Sequence, residues 1–125
     1  MNCFKNRKPI VVSHANDALL MYRCTDTYTP YLCGMLLTDG AVALADEFQC
    51  YWLLDIICSC QQQLNWEEFQ VWTLKREEDT TVAVVTCTNG NDRSLCKQDI
   101  PYTDFRALTA VLWVEGQVIL LPSEH

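Results

Sequence analysis

After Trp66 the apolar residues change their period, and this change constrains the fold more than any other feature of the chain. Over Tyr51 to Gln62, residues Leu53, Ile56, Ile57 and Cys60 recur at helical spacing, while Tyr51, Asp55, Ser59 and Gln62 lie along another side. Beyond Trp66, Phe69, Val71 and Thr73 alternate with Gln70, Trp72 and Leu74, the two-residue repeat of a strand. Helical periodicity first and strand periodicity afterwards is the pattern of an α+β domain.

The remaining elements follow from local chemistry. Thr38 or Asp39 can accept the free amide hydrogens of a first helical turn, which opens a helix running to Phe48. Asn16 to Tyr22 is expected to form a short helix behind Ser13, and Thr25 to Tyr31, with Pro30, an extended segment or loop. Thr80 to Thr88 is apolar on both faces and reads as a central strand; Asn89 to Asp92 is a turn, and Leu95 to Ile100 a third strand. After Pro101, Thr103 or Asp104 is expected to cap one helical turn through Phe105 and Arg106. Leu108 to Val114 and Gln117 to Leu121 then form a hairpin about Glu115 and Gly116. The expected architecture is N-terminal helices packed on one face of a C-terminal antiparallel sheet of about five strands. At 125 residues the chain reads as one domain, with residues 1–12 as a mobile arm.

Charge and cysteine usage narrow the function. Six of the nine basic and all sixteen acidic residues fall beyond residue 12, so that part carries −10 of a chain whose net charge is −7. An acidic body repels phosphate backbones, which argues against direct nucleic-acid binding and favours a protein partner with a basic surface. No apolar run approaches the roughly 18 residues of a membrane span, so no membrane is expected. Ile10 to Val12 is shorter than the apolar centre, about 7 to 15 residues, of a secretion signal. The expected location is therefore the cytoplasm, where disulfides are uncommon and the eight cysteines act mostly as small buried hydrophobes.

No catalytic constellation is legible. The two histidines, His14 and His125, lie near the ends of the chain, and no Gly-x-Ser-x-Gly turn or phosphate-cradling glycine loop is present. Cys58 and Cys60 form C-x-C, and Cys3, Cys24, Cys33, Cys50, Cys87 and Cys96 are isolated, so no zinc spacing exists. Packing accounts best for Cys50, Cys60 and Cys87. The carboxylate pairs Asp46 with Glu47 and Glu67 with Glu68 read as solvated surface, and no cofactor is expected.

The phrases LLTDGAVALADE (36–47), YWLLDIICS (51–59), FQVWTLK (69–75), VVTC (84–87), IPYTDF (100–105) and VILLPSEH (118–125) resemble an uncharacterised family of short bacterial, plasmid and phage proteins. Its members carry forms like TDGV-x-YLAE, AYWLLD, IPYTDF and LLPSEY. The resemblance covers about residues 32–125 and brings no activity. This chain departs from it in its first thirty residues, in Cys50, Cys58 and Cys60, and in His125, where the family pattern implies an aromatic residue. The association with mobile elements implies an accessory or anti-defence role, of which an anti-CRISPR inhibitor would be one instance.

The leading expectation is a non-enzymatic, acidic protein-interaction module. Asp39, Trp52, Asp55, Trp72, Tyr102 and Asp104 are the candidate residues of a cleft or acidic contact patch. The alternative is a module that sequesters a nucleotide-like ligand against Trp52, Trp72 and Tyr102. A thiol-metal protein is the weaker third reading, and a homodimer is left open.

Overall fold

The computed structural model describes residues 12–64, 67–77, 80–91 and 93–125. The expected N-terminal arm therefore lies outside the described residues, except for Val12. Eight strands form one mixed sheet: β1 (Val12–His14), β2 (Tyr28–Pro30), β3 (Leu36–Thr38), β4 (Phe69–Arg76), β5 (Ala83–Thr88), β6 (Ser94–Ile100), β7 (Ala107–Glu115) and β8 (Val118–Leu120). The path across the sheet is β2-β3-β8-β7-β4-β5-β6, with β1 also pairing with β7. Two ten-residue helices, α1 (Asp39–Phe48) and α2 (Tyr51–Cys60), follow β3.

This overturns the expectation of N-terminal helices on a five-stranded antiparallel sheet. The five strands expected after Trp66 form, but β1, β2 and β3 extend the sheet with residues from the N-terminal third. β1 runs parallel to β7 and β3 parallel to β8, so the sheet is mixed. Three-residue strands are too short to display a two-residue repeat, and the β7 and β8 partners of β1 and β3 lie about eighty or more positions away along the chain. The expected helical turn after Pro101 also does not form. The Thr103 hydroxyl instead accepts the Phe105 amide at 3.1 Å, and the Thr103 amide donates to the Thr81 carbonyl at 2.8 Å. The buried Arg76 guanidinium donates to the Phe105 and Thr80 carbonyls, fastening both loops to the end of β4. The IPYTDF phrase is thus a structural clasp.

The edge of β7 opposite β4 is shared. β1 covers it at Ala107 and Thr109, and β8 covers it from Trp113 to Glu115. Val111 falls between the two, and the Asn16 side chain takes the place of a strand there. Asn16 Nδ2 donates to the Val111 carbonyl at 2.9 Å, and the Val111 amide donates to Asn16 Oδ1 at 2.8 Å. Asn16 can do so because a 3-10 turn over Ala15–Leu19, rather than a longer helix, begins directly after β1.

One sheet face carries Gln70, Trp72 and Leu74 of β4, Val85 and Cys87 of β5, and Ala110, Leu112 and Val114 of β7, all buried. All but Gln70 join Ala41, Leu44 and Ala45 of α1 and Leu53, Leu54 and Ile57 of α2 in one apolar cluster. Gln49, in the left-handed region at φ 53°, ends α1 and lets α2 turn back over the sheet. Within this core the Gln61 and Gln70 amides pair reciprocally at 2.9 and 2.8 Å, and the Trp72 indole N–H donates to Gln70 Oε1 at 2.8 Å. The Gln61 amide also donates to the Ile57 carbonyl and that of Gln70 to the Glu67 carbonyl, each at 3.0 Å. A buried amide pair is tolerable only when its capacity is used in this way.

Candidate functional site

The outer surface of the helix pair carries side chains that neither the core nor the sheet uses. Asp46 and Glu47 on the last turn of α1, and Tyr51 and Asp55 on successive turns of α2, are exposed. The Tyr51 hydroxyl donates to Asp46 Oδ1 at 2.7 Å, and the Tyr31 hydroxyl donates to Asp55 Oδ1 at 2.5 Å. The two rings lie 6.3 Å apart, so a continuous row runs Asp46, Tyr51, Tyr31, Asp55. Asp46 and Glu47 also border a groove of about 480 Å³ lined by Leu19, Met21, Tyr22 and Ala43. Met21 is 70% exposed beside this groove.

The row holds its protons. Burial, reinforced by the bond to Asp55, raises the Tyr31 hydroxyl above the ordinary tyrosine range. The bond to Asp46 raises Tyr51 in the same direction. Both phenols therefore stay donors at neutral pH and supply no base. Each carboxylate has two oxygens and about four acceptor positions, so each keeps capacity for a cation beyond its tyrosine.

The six residues singled out from sequence fall in different places. Asp55 belongs to the row. Trp52, beside Tyr51 on α2, is half-buried against the core. Asp39 anchors the loop before β2: its carboxylate accepts the Thr27 hydroxyl at 2.6 Å and the Asp26 amide at 2.9 Å, and its own amide donates to the Thr25 hydroxyl at 2.8 Å. The Thr27 bond, with the amide bond after it, holds the Asp39 carboxyl below its ordinary range. Trp72 is 1% exposed and presents no open ring face. Tyr102 and Asp104 are exposed on the loop after β6. Sequence reasoning missed Tyr31, Asp46 and Tyr51; for Tyr51 the available signal was the polar stripe of Tyr51, Asp55, Ser59 and Gln62 on α2.

The other chemistry-bearing groups are structural. Glu124 projects its carboxylate onto the start of α1, accepting the Gly40 amide and the Leu121 amide at 2.9 Å each and the Thr38 hydroxyl at 2.6 Å. The TDG and PSEH phrases therefore meet in space. Among the described residues no three His, Cys, Asp or Glu side chains are grouped as a metal ion would need. Cys60 and Cys96 place their sulfurs 3.9 Å apart between α2 and β6. Burial pushes the Cys50 and Cys87 thiols up to about 12 and Cys58 to about 11, so they resist forming thiolates. Alkylation at mildly alkaline pH, mapped by mass spectrometry, is expected to modify the exposed Cys24 and Cys33 in the native protein. Cys50, Cys58 and Cys87 should react only after unfolding, and their modification at the rate of Cys24 would contradict this burial.

Fold and surface together define a sheet-rich protein with a short helix pair whose outer side is acidic and carries two tyrosines. The chain belongs to the family of unknown function DUF6876, whose profile matches residues 13–125. No curated protein and no solved structure matches it. No helix among the described residues is long and apolar enough to cross a membrane.

Proposed function

We propose that the chain is a non-enzymatic interaction module that binds a basic protein surface through the row Asp46, Tyr51, Tyr31 and Asp55. The observation that carries this reading is the coupling of an exposed tyrosine, Tyr51, and a half-buried one, Tyr31, to two exposed carboxylates. Each hydrogen bond fixes a phenol and a carboxylate before any partner arrives, which lowers the ordering penalty of binding. Tyrosine and methionine are enriched where partners meet, and the acidic body steers a cationic partner towards this face. In this reading the partner is a component of a cytoplasmic defence machinery and the chain its inhibitor, an assignment supported by the resemblance to plasmid and phage proteins alone.

The test compares capture from host extract by the wild-type chain and by Asp46→Lys/Asp55→Lys, at low and at raised salt. A protein recovered by the wild type is expected to be lost on raising salt, and to bind the variant at least about tenfold more weakly, equivalent to roughly 1.4 kcal/mol. Equal recovery by both chains sinks the proposal.

A further inference from the structure

We propose that two copies of this chain join through their β6 strands, antiparallel, about a two-fold axis at Gln98, so that one sheet continues across both.

The two ends of the sheet are built differently. β2 is three residues long and contains Pro30, which lacks an amide hydrogen, so that edge is a poor template for another strand. β6 has seven residues, contains no proline, and among the described residues is paired only with β5. Lys97, Gln98 and Asp99, at its centre, are all exposed. Within a chain of net charge −7, β6 carries one lysine and one aspartate and is itself neutral, so it is a place where a second acidic body can approach.

The register follows from the charges. Lys97 and Asp99 pair with Thr86 and Val84 of β5, whereas Cys96, Gln98 and Ile100 pair with Cys87, Val85 and Ala83 on the helix-covered face. An antiparallel two-fold at Gln98 sets Lys97 opposite the partner's Asp99 and Asp99 opposite the partner's Lys97, giving two ion pairs. It also sets Cys96 opposite the partner's Ile100, covering apolar side chains that are half-exposed in the single chain. Moving the axis to Lys97 or to Asp99 opposes like charges directly, which is destabilising across a sheet. The same two charges therefore disfavour both neighbouring registers and favour this one. Because the axis is perpendicular to the sheet, both helix layers lie on the same side.

One strand pair buries less than a standard interface, so the dimer is expected to be reversible and concentration-dependent. Sedimentation equilibrium of the full chain over a range of concentrations, with circular dichroism to confirm folding, tests it. Lys97→Glu and Asp99→Lys should each weaken the dimer about tenfold or more, since each places like charges opposite one another twice. The double variant Lys97→Glu/Asp99→Lys should restore it, because the exchanged charges again face their opposites. A monomeric wild type, the outcome if another segment of the same chain covers β6, overturns the proposal. So does a dimer that both single variants leave intact, or a double variant no tighter than the singles. The readout involves no other protein, so its failure leaves the reading of the acidic face standing, and the reverse also holds.

Discussion

Replacing Gln70 with leucine is expected to lower the unfolding free energy by about 3–5 kcal/mol, the largest effect among single substitutions considered for this protein. The side chain is fully enclosed and serves three others at once. Leucine fills much the same space but accepts nothing and donates nothing. Gln61 Oε1 and the Trp72 indole N–H would each lose a partner in a place water does not reach, at about 1–3 kcal/mol per orphaned group. Against a total stability of about 5–15 kcal/mol this is a large fraction. In urea, with a slope of about 1–3 kcal/mol/M, the midpoint should fall by roughly 2 M.

A double-mutant cycle identifies the cause. Gln61→Leu alone takes one donor and one acceptor partner from the Gln70 amide, which keeps the Glu67 carbonyl and the Trp72 indole, whereas Gln61→Leu/Gln70→Leu removes both amides and leaves chiefly the Trp72 N–H without a partner. The double variant is therefore expected to be clearly less destabilised than the sum of the singles. Additive losses, or a Gln70→Leu loss below about 1 kcal/mol, would show that the pair does not hold α2 to β4 as its geometry implies.

The second large effect concerns the junction of the TDG and PSEH phrases. Glu124→Ala should cost about 2 kcal/mol, because a charge-assisted acceptor at the first turn of α1 is lost and the Gly40 and Leu121 amides give up their partner. The Thr38 hydroxyl can swing to the Ile119 carbonyl 3.3 Å away, which limits the loss. Glu124→Gln keeps the shape and one acceptor oxygen and should cost about half as much. Gly40→Ala attacks the same junction from the other side: a Cβ there would lie 2.6 Å from the Glu124 carboxyl carbon and 2.7 Å from Leu121 Cδ1. It is expected to destabilise the wild type by about 1–3 kcal/mol, and less in the Glu124→Ala background, where the carboxylate no longer occupies the space. Thermal unfolding of the four chains measures this, and an undiminished Gly40→Ala effect without Glu124 would refute it.

Much of the local structure was legible because it rests on interactions a few residues long. The helix over Asp39–Phe48 is capped by the Thr38 hydroxyl, which accepts the Ala41 amide at 3.2 Å. α2 begins at Tyr51 as its periodicity required, and Phe69–Arg76 alternates between buried positions and half-exposed or exposed ones. Cys50, Cys60 and Cys87 sit in the core, as free thiols among apolar neighbours do. The sheet as a whole was not legible. Leu36 to Thr38 is merely an apolar lead-in until Val118 and Ile119 arrive beside it, and Tyr28 to Pro30 has no buried face to betray a strand.

The candidate site divides in the same way. Asp55 stood out because a carboxylate among Trp52, Leu54 and Ile56 is unusual in any helix. Tyr31 did not, since its bond to Asp55 spans 24 positions and depends on how the segment before β3 crosses α2. Trp72 looked available for a ligand by residue type alone; only the packing of α2 over β4 decides that its ring is enclosed.

By itself, then, the amino-acid order determined where the chain bends, where its helices and longer strands lie, and that its body is acidic, because these depend on neighbouring side chains and on summed charge. The tertiary structure decided the mixed pairing, the Asn16 bridge beside Val111, the Glu124 lock on α1 and the Tyr31–Asp55 link of the tyrosine–carboxylate row. Each of these joins groups far apart in the chain, and a hydrogen bond across such a distance exists only once the apolar core has paid the entropy of bringing its ends together.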